Sequence, residues 1–150
     1  MNTELIRVQE GGPEWEEVRS IRNRVFVEEQ AVDAAEEYDA FEAVSVHYLL
    51  RAGGEPAGVC RWRQTELGFK LERFAVLSSF RGRRLGLKLV EACLRDVAAR
   101  AASAGLPVYL HAQVHAIPFY EKCGFRAAGP EFSEAGIRHR KMKYAMGSDY

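Results

Sequence analysis

The chain has 150 residues, 47% hydrophobic and 28% charged, ordinary values for one globular unit able to bury a sizeable core. Lys+Arg and Asp+Glu number 21 each, so no overall charge draws the molecule to nucleic acid or to a membrane surface. No apolar run reaches the ~18 residues of a membrane helix, and no charged-then-apolar leader opens the sequence; a single cytoplasmic domain over residues 1–150 is expected.

Leu5–Val8 reads as a first strand. Pro13 suits a first helical turn, Glu14, Glu16 and Glu17 favour its dipole, and Trp15, Val18, Ile21 and Val25 share one face, which predicts a helix to about Val27. Gln30–Ala43 is acidic with no clean period and could hold a short helix and a loop bordering a site. Val44–Arg51 and Ala57–Gln64 are expected strands joined at Gly53-Gly54, and Phe69–Leu77 a third strand of the same meander. Leu87, Val90, Leu94, Val97, Ala98 and Ala101 form one stripe of a central helix, with Lys88, Glu91, Arg95, Asp96 and Arg100 expected to face away. Gly105 and Pro107 stop that helix. Val108–Ala112 follows through a crossover and must lie parallel to its neighbour. A short helix from about Ile117 to Gly124 precedes a final strand pair, Phe125–Ala128 and His139–Tyr144. The result is an α/β mixed, mostly antiparallel sheet flanked by helices. Cys60, Cys93 and Cys123 are odd in number and widely spaced, as expected of free thiols in a reducing compartment.

The most informative segment runs from Glu72 to Val90, a strand, a basic turn and a helix. Backbone N–H groups at a helix N-terminus lack intrahelical partners, and glycines let a phosphate approach them. Arg81, Arg83 and Arg84 add charge, so an anionic, phosphate-bearing ligand is expected. Neither G-x-x-x-x-G-K-S/T nor G-x-G-x-x-G occurs, which sets aside the nucleotide P-loop and the dinucleotide fingerprint. His111 and His115 stand four apart but span a strand end and a Pro-containing helix start, so no metal is expected. G-x-S-x-G is absent too.

Arg81, Gly82 and Gly86 resemble the Q/R-x-x-G-x-G/A acyl-CoA loop of the GNAT superfamily of N-acetyltransferases, with Arg84 where that pattern usually has its middle glycine. Gln113 to Phe125 resembles the superfamily's A-x-x-F-Y-x-K-x-G-F signature. The likeness spans about Ile21 to Met142 and is closest to the ElaA/YjcF-like branch, through Val25–Gln30 and Phe132–His139. It implies the acyl-CoA N-acyltransferase fold, in which two parallel strands splay and the pantetheine arm lies between them. It implies acetyl-CoA as co-substrate and a small-molecule amine as acceptor, with neither nucleic acid nor membrane as partner. A homodimer is left open.

The resemblance also assigns roles. Expected cofactor contacts are Phe74, Ala75 and Val76, then Arg81, Gly82, Arg83, Arg84, Leu85 and Gly86, and Gln113 on the pantetheine arm. Tyr120 matches the tyrosine that protonates the coenzyme A sulfur; its alternative is a hydrogen-bonded half-buried aromatic. Glu72 is the candidate base, with pairing to Arg61, Arg63 or Lys70 as the competing reading. Glu29, Glu134 and His139 are candidate substrate contacts, and His111 is next in line as base. A non-catalytic acyl-CoA-binding regulatory module is the alternative function; it would need neither Tyr120 nor Glu72.

Overall fold

The computed structural model describes residues 2–145. Seven strands form one sheet in the order β1-β2-β3-β4-β5-β7-β6. They are β1 (Thr3–Val8), β2 (Val46–Ala52), β3 (Glu55–Thr65), β4 (Gly68–Val76), β5 (Val108–Gln113), β6 (Phe125–Glu134) and β7 (Ile137–Tyr144). Every neighbouring pair is antiparallel except β4 and β5, which are joined through the crossover helix α3 (Leu85–Ala104).

Strand alternation distributes side chains to two cores. Tyr48, Leu50, Cys60, Trp62, Leu71 and Leu110 pack against the Leu89, Val90, Cys93 and Val97 stripe of α3. Leu49, Val59 and Ala75 point the other way, against Trp15, Val18 and Ile21 of α1 (Trp15–Arg22). The expected polar face of α3 needs two corrections. Asp96 accepts hydrogen bonds from the Tyr48 hydroxyl at 2.5 Å and the Trp62 indole at 2.8 Å, and the Arg100 guanidinium lies over the Trp62 and Phe69 rings. Both side chains fold back over the sheet because it offers indole and phenol donors and π-faces at the helix margin.

Three local departures shape the site. The first helix continues beyond Arg22 as a π-helix, Asn23–Glu29, which turns Glu29 and Gln30 towards the sheet gap. The short helix α2 (Ala34–Glu37) is capped by Asp33, whose side chain accepts from the Ala35 amide. β6 runs to Glu134, well past the expected Ala128, so Gly129–Ile137 is mostly a hairpin and not a loop. A register break between Ala127 and Glu131 lets that hairpin bend over the site.

Candidate active site

β4 and β5 pair only over Phe69↔Val108, Lys70↔Tyr109 and Leu71↔Leu110. Beyond that point both strands continue, to Val76 and Gln113, with no ladder between them. This is the splay implied by the family likeness. A bulge on the other edge of β4 accompanies it: Glu72 faces Arg61 and Ala75 faces Val59, so Arg73 and Phe74 together oppose Cys60. Arg73 takes the left-handed conformation there, φ 59°, and its guanidinium is tied to the Glu37 carbonyl at 3.1 Å and Asp39 at 3.2 Å.

A cleft of about 810 Å³ fills the gap. Its walls bring together Phe74, Ala75 and Val76 from β4, His111 and Gln113 from β5, Tyr120 from α4 (Ile117–Lys122), and Glu134 and His139 from the last hairpin. A second cavity of about 520 Å³ adjoins it, sharing Val76, Arg81, Gly86 and Phe119, and is lined by Gly82, Arg84, Leu85 and Lys122. Lys122 stands in the second motif, but no role for it was read from the sequence.

The turn explains its own glycines. Gly82 has φ +82° and no atom within 4 Å of where a Cβ would stand, so its conformation, not crowding, selects glycine. Arg84, the residue in place of the middle glycine, is left-handed as well (φ 61°, ψ 23°) and forms the N-cap of α3 with no side-chain cap. The turn therefore keeps the geometry a glycine would give, with an arginine carrying the steric cost. Gly86 differs from expectation: a Cβ on it would meet the Phe119 ring at 3.2 Å, so it admits Phe119 against the helix. The uncapped first turn of α3, with Arg81, Arg84 and Lys122 around it, has the donors and charge a pyrophosphate requires. The elongated gap fits a narrow arm leading inward from it.

Arg81 donates to the Val76 carbonyl at 2.9 Å and to Glu29 at 2.5 Å. Glu29, expected as a substrate contact, thus stands at the phosphate end. Gln113 exchanges two hydrogen bonds with Gln30, at 2.8 and 3.3 Å, across the cleft. Tyr120 sits among aromatic rings, Phe74 at 6.0 Å, Phe119 at 5.0 Å and Phe125 at 6.2 Å. Burial raises its pKa above the ordinary phenol value, so the hydroxyl stays protonated.

Glu72 takes all three of its alternative partners at once: Arg61 at 2.6 Å, Arg63 at 2.8 Å and Lys70 at 3.3 Å. Burial pushes its carboxyl up, but the attraction of Arg61 and Lys70 and the Arg63 hydrogen bond win, leaving it at about 2. A carboxylate so stabilised is a poor proton acceptor. Arg61, fully buried, also binds Asp39 and Glu42, and Arg22 binds Glu37 and Glu42, giving one continuous charge network behind the cleft. Sequence reasoning offered the Glu72 pairs as alternatives and missed the links through Arg22, Glu37, Asp39 and Glu42. The signal was the strand alternation that sets Arg61 opposite Glu72 and Arg63 opposite Lys70.

At the other wall, Glu134 Oε1 lies 3.0 Å from His111 Nδ1. A carboxylate only accepts, so Nδ1 carries the hydrogen, and the neutral ring keeps its lone pair on Nε2. The His111 hydrogen bond holds the Glu134 carboxyl below its usual range, against the effect of burial. His139 Nδ1 donates to the Ile137 carbonyl at 2.7 Å, and its Nε2 lies 3.8 Å from Glu134 Oε2. His47 is buried beside Trp15 and bonds the Glu42 carbonyl at 2.8 Å; it is structural.

Among the described residues no helix is long and apolar enough to cross a membrane. Residues 13–146 match the family described as "Acetyltransferase (GNAT) domain". The Bacillus subtilis (strain 168) protein named "Uncharacterized N-acetyltransferase YjcF" is 42% identical over 123 residues, covering 81% of this chain and 86% of that one. An acyl-CoA N-acyltransferase from Pseudomonas aeruginosa superposes with a TM-score of 0.80 at 27% identity, over 96% of this chain and 100% of its own. Escherichia coli ElaA superposes with a TM-score of 0.81 at 23% identity, over 97% and 100%. The splayed sheet, the turn into α3 and the Phe119-Tyr120 segment are thus those of a GNAT acetyltransferase, the family to which this chain belongs.

Proposed function

We propose that the protein transfers an acetyl group from acetyl-CoA to the primary amine of a small molecule, with both substrates bound together in the cleft. The observation that carries this reading is the sheet gap beyond Leu71 and Leu110, which runs from the basic turn to a wall holding Tyr120, His111 and Glu134.

Acetyl-CoA supplies an activated acetyl thioester, and the amine nitrogen bonds to its carbonyl carbon as the carbon–sulfur bond breaks. The first-turn amides of α3, with Arg81, Arg84 and Lys122, hold the pyrophosphate; Gly82 and Arg83 shape the turn, and Leu85 and Gly86 begin the helix. Edge groups of Phe74, Ala75 and Val76, with no strand opposite them, orient the pantetheine arm and polarise the acetyl carbonyl. Gln113 gives up its bond to Gln30 to reach the same arm. His111 Nε2 takes the proton the amine loses, with Glu134 fixing the ring tautomer, and the Tyr120 hydroxyl gives a proton to the departing sulfur. Both side chains re-equilibrate with solvent. Glu72 acts through the charges it holds, as the anchor for Lys70 and Arg63.

Calorimetric titration with coenzyme A, followed by thiol release with an amine panel, tests the reading. Micromolar binding and amine-dependent thiol release are expected. Binding without thiol release from any amine would favour the non-catalytic acyl-CoA-binding module. Gly86→Val should push Phe119 out of place and weaken coenzyme A binding; an unchanged affinity in a folded variant would count against the phosphate assignment.

A further inference from the structure

Two features of the inner cleft wall are left without a role by acetyl transfer alone. The first is a local surplus of positive charge. Behind the wall five cations, Arg22, Arg61, Arg63, Lys70 and Arg73, share four carboxylates, Glu37, Asp39, Glu42 and Glu72. Arg61 is satisfied by three of those carboxylates, whereas Arg63 and Lys70 form ion pairs only with Glu72 among the described residues, Arg63 also stacking on the Phe41 ring at 3.9 Å. Glu72 carries one charge for these two, so the local surplus falls on Lys70 and Arg63, in a cleft whose lining also holds Glu29, Glu36 and Glu134. The second feature is a donor-seeking carboxylate beside an imidazole. Glu134 Oε2 stands 3.8 Å from His139 Nε2, and His139 Nδ1 donates to the Ile137 carbonyl. A carboxylate so placed attracts an N–H donor, and an ammonium best.

The donor-seeking carboxylate and the surplus cations lie on one wall. Lys70 is in register with Tyr109, two residues before His111, and its charge helps to lower the Glu134 carboxyl after the His111 hydrogen bond and burial. Adjacent strands run ~4.8 Å apart, so the positive and negative poles are separated by about one strand. Building on the acetyltransferase reading, we propose that the acceptor is an amino acid, its carboxylate held by Lys70 and Arg63 and its amine delivered between Glu134 and His139 to His111. Binding as the zwitterion matches both poles at once. The ammonium first gives one proton through His111 Nε2 to solvent, which frees the lone pair for attack; after the carbon–nitrogen bond forms, the nitrogen loses a second proton to His111 as Tyr120 protonates the departing sulfur.

Matched acceptors separate the two charges. Thiol release is compared for L-phenylalanine with phenethylamine and for L-alanine with ethylamine. The acids should lead in kcat/KM by about tenfold or more, the size of one charge-assisted hydrogen bond. Lys70→Met should bring the ratio close to one, and Lys70→Arg should preserve it. Amines equal to or better than their acids in the wild-type protein would overturn the proposal, as would an unchanged ratio in Lys70→Met. A second arm needs no turnover: N-acetyl-L-phenylalanine and N-acetylphenethylamine are titrated into the wild-type protein loaded with coenzyme A. Tighter binding of the acid supports the anion site, and equal binding overturns it. If no amine releases thiol while the acid still binds preferentially, the acetyltransferase reading falls and the anion site stands.

Discussion

The two ends of the cleft are built by different means. The end proposed for the phosphates is built from backbone: unpaired strand-edge groups, the uncapped first turn of α3, and a turn kept left-handed at Arg84. Side chains there are exposed. The end proposed for the acceptor is built from side chains, locked by ion pairs from Arg22 and Arg61 to Glu37, Asp39, Glu42 and Glu72. Backbone donors tolerate sequence change, so the first end can be recognised by pattern. A charge network depends on every member, so the second end leaves no local pattern.

The comparison breaks most sharply at Arg61. Arg61→Met should remove one cation from three carboxylates, two of them buried, and cost about 3 kcal/mol, measured by denaturant unfolding. The same network sets an acid limit. Glu72 and Asp39, each held at about 2 against reference values of 4.5 and 3.8, give stability that is complete above pH 4.5. That stability drains as pH falls towards 2, because protonation releases the pairs. Thermal melts between neutral pH and pH 3 should show the loss in the wild-type protein.

Chemistry at the boundary between the two ends should respond next. Tyr120→Phe keeps the ring packing and removes the proton donor, so turnover should fall by about 10²-fold with coenzyme A affinity held. His111→Ala should lower kcat/KM by a similar factor, about 10²-fold, with coenzyme A affinity held. Glu134→Gln, which keeps size but not charge, should cost less. A kcat/KM unchanged in His111→Ala would return the search for a base to Glu72.

The smallest effect sharpens the comparison at the phosphate end. Arg84→Gly removes a left-handed arginine, a relief of about 1 kcal/mol offset in part by a more flexible unfolded chain. Stability should stay within about 1 kcal/mol of wild type, while coenzyme A affinity drops several-fold through the lost charge. Unfolding and titration on the same sample separate the two.

Much of the architecture was legible because it follows period and punctuation. The helix α3, its stop at Gly105 and the forced parallel strand β5 came from side-chain spacing and crossover length, while the buried stripe of α3 keeps Val90, Val97 and Ala101 but runs through Leu85, Leu89 and Cys93 in place of Leu87, Leu94 and Ala98. The segment around Glu37, Asp39 and Glu42 was not legible, since its order comes from ion pairs to Arg22, Arg61 and Arg73, and such pairs leave no local period. The extension of β6 to Glu134 was hidden by Gly129 and Pro130, which read as a loop but sit at the register break. At the site, Tyr120 and the basic turn stand on the cleft as their motifs required. Glu72 lies on the right strand, yet no reading of one position could count the cations that would surround it.

The bulge at Arg73 divides β4 into two lengths whose side-chain alternation is out of phase. Lys70 and Glu72, before it, line the cleft at the end proposed for the acceptor, while Phe74–Val76, after it, line the length proposed for the acyl donor. The bulge acts as a slip joint: the outer half may lose or gain a residue without turning the inner half over. Loss of Arg73 itself would set Phe74 opposite Cys60 and leave both lengths facing as they do now, Ala75 still towards α1, while removing the ties of Arg73 to Glu37 and Asp39. One continuous β-strand thus presents a paired, charged length and an open, unpaired length to the same cleft.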